Sequence, residues 1–196
     1  MSRDFIISIR TTVTLWLLTA FLYPLLIFLI GQGLFPFQAN GSLITNDQGQ
    51  VIGSELIGQS FSSDRYFWGR PSAINYSEGE AASPTGISGA SNLAPGNPQL
   101  LERIEAEAKR LRSAGVEPVA DLLYSSGSGL DPHISIAAAE AQIDRVAKVR
   151  GVSATQLRSL IAQATDHRFL GIFGEPGVNV LRLNLALDRV TQQNEL

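Results

Sequence analysis

Between Arg10 and Asp47 the chain carries no charged side chain, and no other feature limits its folding options so sharply. Within that gap, Thr11 to Ile30 is a run of 20 mostly apolar residues. At about 1.5 Å per residue it reaches about 30 Å, the thickness of one hydrocarbon core. Twelve of its positions are Val, Leu, Ile or Phe, each worth about −0.3 to −0.6 kcal/mol on insertion. Thr11, Thr12, Thr14, Thr19 and Pro24 are its weak points, tolerated because neighbouring groups satisfy the freed backbone. The competing reading is a cleaved signal peptide, with an apolar stretch of about 7–15 residues and a small-x-small site. Here the run is longer, and bulky Phe35 and Phe37 follow it. An uncleaved anchor is the expectation.

Arg3, Arg10 and the α-amine precede the span against one acid, Asp4, whereas the first basic residue after it is Arg65. The positive-inside rule then puts residues 1–10 in the cytoplasm, 11–31 in the membrane and 32–196 outside. Roughly 160 residues remain, enough for one domain with its own core. With Arg3, Arg10 and Asp4 set aside from the totals of 15 basic and 18 acidic residues, the part from Gln38 onward holds 13 against 17, a net charge of −4. That charge argues against a nucleic-acid surface, which needs a basic stripe. With no cysteine in the chain, disulfides, thiol catalysis and Cys-ligated metals are excluded too.

Ser42–Thr45 and Gln50–Ile52 flank the turn-rich Asn46-Asp-Gln-Gly49, which predicts a β-hairpin, with Glu55–Phe61 extending its second strand. Residues 76–98 are rich in Gly, Ser, Ala, Pro and Asn and read as a long loop. Three helices follow. Asn97-Pro98 caps the first, which runs to Gly115. Ser135 caps the second, whose stripe of Ile136, Ala139, Ile143, Val146 and Ala147 ends at Gly151. Ser153-Ala-Thr-Gln156 is a capping box for the third, with Val152 and Leu157 as a hydrophobic staple. From Asn179 to Asp188, Leu181, Leu183, Leu185 and Leu187 alternate with Arg182, Asn184, Ala186 and Asp188, the period of a half-buried strand. The expected fold is α+β: one N-terminal transmembrane helix, then a single extracytoplasmic domain of hairpin, three helices and C-terminal strand.

The densest polar cluster is Ser126-Gly-Ser-Gly-Leu-Asp-Pro-His-Ile-Ser135. It has no lysine for a P-loop and no third glycine for a dinucleotide fingerprint, so it reads as a tight connector into a capped helix. Ser128, His133 and Asp131 lie too close along the chain for an oriented triad, and no Gly-x-Ser-x-Gly elbow is present. A metal site would have to draw on His133, His167, Asp131 and Asp166, with the two histidines in unrelated segments. Tyr66-Phe-Trp-Gly-Arg-Pro-Ser-Ala73 differs in kind, because aromatics and Arg are enriched at interface hot spots. Pro24, Tyr66, Trp68, Arg70, Asp131 and His133 are the candidate interface residues. The rival reading of the aromatic segment is that it serves the domain's own core. No catalytic, cofactor or metal residue is assigned.

Several of these segments together resemble one family. Tyr23-Pro24, Phe35-Pro36, Gln38–Ser42, Gly53–Gln59, Tyr66–Ala73, Ser91-Asn-Leu93, Ser126–Ser135, Arg145-Val-Ala147, Gly174-Glu-Pro176, Val178–Leu181 and Leu183–Asp188 are similar to the KdpC family. Departures are Gly177, where that family often shows arginine, and Glu117-Pro-Val-Ala-Asp121. The resemblance implies the C subunit of the ATP-driven potassium pump KdpFABC. Its implied partners are a KdpA-like subunit that carries K⁺, a KdpB-like subunit that hydrolyses ATP through a phospho-aspartate, and a small KdpF-like helix, all in the plasma membrane. ATP and K⁺ are then used by the complex, with no cofactor of the chain's own. The resemblance also implies a catalytic chaperone that raises the ATP affinity of the B subunit. The topology pulls the other way, since only about ten N-terminal residues face the compartment that holds ATP. Assembly and a role at the external K⁺ entrance are the favoured expectation. A free-standing, membrane-tethered binding or sensor domain is the alternative.

Overall fold

The structure is a computed structural model that describes residues 2–46, 48–79 and 86–194. It divides into two compact units, residues 1–43 and 44–196.

The first unit is dominated by one continuous helical rod. Helix α1 (Ser2–Leu17) runs through a π turn (Leu18–Leu22) into α2 (Tyr23–Leu34). The π turn has a local cause. Pro24 brings no N–H to the ladder, and one wide turn, closed by the Tyr23 amide on the Leu18 carbonyl, re-registers the bonding ahead of it. Thr19 hides its hydroxyl on the Leu15 carbonyl at 2.8 Å. From Arg3 to Leu34 the helix is long and apolar enough to cross a membrane, and its apolar window buries nothing against protein. A side-chain belt this exposed to its surroundings suits lipid rather than water. A short helix α3 (Pro36–Ala39) closes the unit.

The second unit opens with the expected hairpin, β1 (Leu43–Thr45) paired with β2 (Val51–Ser54). The Asn46 carboxamide accepts from the Gln48 and Gln50 amides and organises the turn; Asp47 lies outside the described residues. The extension of the second strand to Phe61 is not formed. The chain turns back at once in an isolated bridge between Ser54 and Ile57. Of the expected long loop, residues 80–85 lie outside the described part, and the rest contains no regular element beyond a single turn at Asn75–Ser77.

Helix α4 (Pro98–Ser113) starts where the Asn97 side chain accepts from the Gln99 amide. A one-turn helix α5 (Ala120–Leu123) and the two-residue strand β3 (His133–Ile134) follow. The second expected helix is two helices, α6 (Ile136–Glu140) and α7 (Ile143–Arg150). The break has a cause in Gln142, whose side-chain amide donates to the Ala138 carbonyl and to a neighbouring segment. Helix α8 (Ala154–Gln163) carries the complete capping box of Ser153 and Gln156, and Val152 and Leu157 are both buried in the core. Strands β4 (Thr165–Asp166) and β5 (Gly177–Asn179) complete an antiparallel sheet of order β3-β5-β4, with His133 opposite Asn179 and Thr165 opposite Val178.

The C-terminal strand is a correction. Only Gly177–Asn179 is strand; Val180–Asn194 is helix α9. Val180, Leu183, Asn184 and Leu187 are buried, a helical spacing of three and four. The buried polar Asn184 produced the false alternation. Mixed helix and sheet, the expected class, remains the description of the fold. Phe67, Leu111, Val116, Leu122, Ile134, Val146, Leu157, Val178, Leu183 and Leu187 fill one continuous core.

Candidate functional site

The aromatic–arginine segment and the Gly-rich loop lie about sixty positions apart in sequence and meet in the fold. Arg70 Nη1 lies 3.1 Å from Asp131 Oδ2. Ser72 donates its hydroxyl to the Gly129 carbonyl at 2.8 Å, and the Ser126 amide donates to Pro71 at 3.1 Å. Two glycines permit the approach. A Cβ on Gly58 would sit 2.6 Å from the Asp131 carbonyl and 2.5 Å from the Tyr76 ring. One on Gly129, at φ +69°, would sit 2.6 Å from the Gly89 carbonyl. Beside them Asn75, Tyr76 and Ser77 form a left-handed turn at φ 47°, 54° and 57°. Single αL residues cost about 1–2 kcal/mol each. The Ser72 oxygen, accepting from the Ile74 and Tyr76 amides, and the Tyr76 hydroxyl, donating to the Arg70 carbonyl, over-determine this conformation. Burial first, then the charge of Asp131, pushes the Tyr76 phenol up to about 12.

The aromatic residues are held from behind by two buried carboxamides. Asn184 on α9 accepts from the Phe67 amide at 2.9 Å and donates to the Phe67 carbonyl at 3.0 Å. Gln142 does the same for Trp68, at 2.8 and 3.1 Å. An extended segment thus satisfies its backbone on helix side chains instead of a neighbouring strand. Trp68 is 4% exposed, with its ring between the guanidinium carbons of Arg145 at 3.7 Å and Arg110 at 4.1 Å. Burial pulls Arg145 down to about 10, so it stays charged at neutral pH. It donates to the Asp64 and Tyr66 carbonyls and to Gln142 Oε1. Trp68 is therefore a core residue, as the rival reading has it.

The remaining candidates lie nearer the surface. Tyr66 donates to Asp188 Oδ2 at 3.1 Å, and Asp188 also takes Arg150 at 2.6 Å. A string of charges runs from Arg70 to Asp131, whose other oxygen accepts the His133 amide at 3.0 Å. The His133 ring then meets Asp166 at 2.8 Å, and Asp166 pairs with Arg182 on α9. Partial burial raises the Asp166 carboxyl, but its bonds to Arg182 and His133 outweigh this and leave it below its ordinary value. The hydroxyl of Ser128 accepts from the Leu130 amide rather than meeting an imidazole. Among the described residues no group of three or more His, Asp or Glu is placed to hold a metal ion. The hollow beside Trp68, Arg70, Tyr76 and Arg110, of about 450 Å³, is shallow and has its arginines already paired, with Asp131 and Glu107. Pro24 sits on the exposed apolar rod. Sequence reasoning did not single out Gln142, Asn184 or Asp188. The available sign was a lone amide inside an otherwise apolar stripe.

Comparison with known proteins identifies the family of the chain. A family model described as KdpC, K⁺-transporting ATPase c chain, matches residues 5–189. The chain belongs to the KdpC family. It is 70% identical over 188 residues, 96% of this chain and 99% of the relative, to the potassium-transporting ATPase KdpC subunit of Synechocystis sp.. KdpC subunit 2 of Nostoc sp. is 61% identical over 186 residues, 95% of this chain and 94% of the relative. The KdpC subunit of Gloeobacter violaceus is 51% identical over 184 residues, 93% and 94% of the two chains. Three of the segments that resemble this family build the site: Tyr66–Ala73, Ser126–Ser135 and Leu183–Asp188.

Proposed function

We propose that this chain is a non-catalytic accessory subunit of an ATP-driven potassium uptake pump. The observation that supports it is the match, over nearly the whole of both chains, to proteins named as subunits of a potassium-transporting ATPase. Its partners are a KdpA-like K⁺-carrying subunit, a KdpB-like ATP-hydrolysing subunit and a small KdpF-like helix, and it brings no cofactor of its own to the ATP and K⁺ that the complex uses. The apolar rod anchors the chain in the plasma membrane, with Arg3 and Arg10 on the cytoplasmic side and the domain outside. Pro24 and the threonine face of Thr12 and Thr19 pack on a partner helix, because packing within membranes favours close approach and small or hydrogen-bonding residues. On the domain, Arg70, Asp131, His133 and the edge of Tyr66 offer polar contact surface, with Trp68 supporting them from inside.

With the domain outside, the chain works through assembly and at the external K⁺ entrance. A catalytic-chaperone effect on ATP affinity then has to pass through the membrane helix and the partner subunits, without contact with nucleotide. A reporter that is active only outside the cytoplasm, fused after Leu196, is expected to be active; activity of a cytoplasmic reporter there would overturn this topology and restore direct ATP contact. Co-purification separates the subunit from the alternative, a free-standing binding or sensor domain. If the solubilised chain runs alone while the other pump subunits stay together and fully active, the subunit reading fails.

A further inference from the structure

The loop from β4 to β5 ends in the most exposed apolar group of the outer domain. Phe169, Leu170, Ile172 and Phe173 are 70, 73, 72 and 62% exposed. At roughly 200 Å² per aromatic side chain, the two phenylalanines alone present about 250 Å². With Leu170 and Ile172 added, the patch reaches the size of the largest found on typical monomers, which is often functional.

This tip has a built shape. The Phe169 amide donates to the Phe173 carbonyl at 2.8 Å, and the Gly171 amide donates to the Arg168 carbonyl at 3.0 Å. Leu170 and Gly171 both take left-handed backbone, at φ 54° and 74°. Arg168 closes the base on both oxygens of Glu175, at 3.0 and 2.9 Å. Leu170 in that conformation is strained, and presenting its side chain outward brings no contact inside the domain to offset the strain.

Charge separates the two candidate occupants, lipid and protein. Arg168 is neutralised by Glu175, and Asp166 beside the loop is paired with Arg182 and His133, so both arginines near the rim are already committed to carboxylates. The domain as a whole carries −4, which brings no attraction to an anionic lipid surface. A preformed apolar knob with a polar rim already paired matches the anchor of a protein interface, which enters a pocket on its partner. We propose that the Phe169–Phe173 tip is such an anchor, seated in an apolar pocket on the outer surface of another subunit of the pump. This rests on the subunit reading above and names the element that docks.

The chain has no cysteine, so single thiols report on the tip directly. Leu170→Cys and Ile172→Cys, with exposed Lys109→Cys as reference, are made in the full chain. A water-soluble maleimide is then followed on this subunit in three samples: the chain alone in detergent, the chain alone in anionic nanodiscs, and the purified pump complex. The expected result is fast labelling at 170 and 172 in both samples of the chain alone and at least about tenfold slower labelling in the complex, with Lys109→Cys unchanged throughout. Protection already present in nanodiscs would make lipid the occupant and overturn the proposal. Equal labelling in the complex would overturn it as well, while leaving the subunit reading intact. If no complex forms with the unmodified chain, both fall. As a second readout, Phe169→Ser with Phe173→Ser is expected to lower recovery of the complex at least fivefold without moving the melting temperature of the chain. A melting temperature that falls in step with recovery would mark the tip as part of the fold.

Discussion

Replacing Asn184 by leucine tests whether the aromatic segment depends on side-chain amides for its backbone pairing. Asn184 Oδ1 accepts the Phe67 N–H, Nδ2 donates to the Phe67 carbonyl, and both residues are fully buried. Leucine branches at the same atom as asparagine but has no polar atom, so Asn184→Leu leaves one buried donor and one buried acceptor unpaired. Each costs about 1–3 kcal/mol. The apolar side chain returns about 1 kcal/mol of transfer energy, for a net loss of about 1–5 kcal/mol, centred on about 3. For a domain of this size 1 kcal/mol shifts the midpoint by about 2–4 °C, so a fall of roughly 10 °C is expected. The assay is a near-UV circular dichroism melt of the solubilised full chain, which follows the packing of Trp68. Gln142→Leu is expected to lose at least as much, because Arg145 Nη2 gives up its 2.7 Å bond to Gln142 as well as both Trp68 backbone atoms losing their partner. Exposed Gln99→Leu is the reference and stays within about 0.5 kcal/mol. A midpoint for Asn184→Leu within about 2 °C of the unmodified chain would refute the reasoning, since Phe67 would then be finding other partners.

Two further outcomes follow from the same geometry. Tyr76, pushed up to about 12, is expected to ionise late, and Tyr76→Phe should abolish a step near pH 12 in a 295 nm titration. The sign is that of a raised acid: its stabilisation is complete below pH 10 and is lost as pH climbs to about 12, so Tyr76→Phe should flatten the loss of stability across that window; an unchanged titration would refute the assignment. Pro24→Leu restores an N–H at the end of the π turn and should straighten the rod, weakening complex recovery without preventing insertion; unchanged recovery would mean the helix is only a tether.

The parts of this fold that were legible in the sequence are those whose cause is local. The Asn97-Pro98 start, the Ser135 cap and the Ser153–Gln156 box are satisfied within three or four residues, and each appears where its residues stand. The span was legible because the absence of charge over 36 positions leaves few alternatives. The joining of Tyr66–Ala73 to the Gly-rich loop was not, although both had been singled out. It depends on the Arg70–Asp131 pair and on close approach at Gly58 and Gly129, contacts between distant positions that no local pattern encodes. The Phe169–Phe173 tip drew no attention because it carries no chemistry-bearing side chain and has no period; its one sign was an apolar run punctuated by Gly171 and Gly174.

The C-terminal helix shows why a polar residue misled the reading more than an apolar one would have. Leu181, Leu183, Leu185 and Leu187 alternate perfectly with polar or small residues, and period two is the stronger pattern if Asn184 is assigned to solvent. In the fold Asn184 is as deeply buried as Leu183 and Leu187, because its carboxamide replaces the strand that Phe67 lacks. With Asn184 counted inside, positions 180, 183, 184 and 187 form one helical stripe facing the core, and the alternation is a by-product of Leu181 and Leu185 flanking that stripe. The misread helix and the burial of Phe67 therefore have one origin. The segment that looked like a strand and the backbone of Phe67 are the two sides of one buried amide clamp, and neither was interpretable without the other.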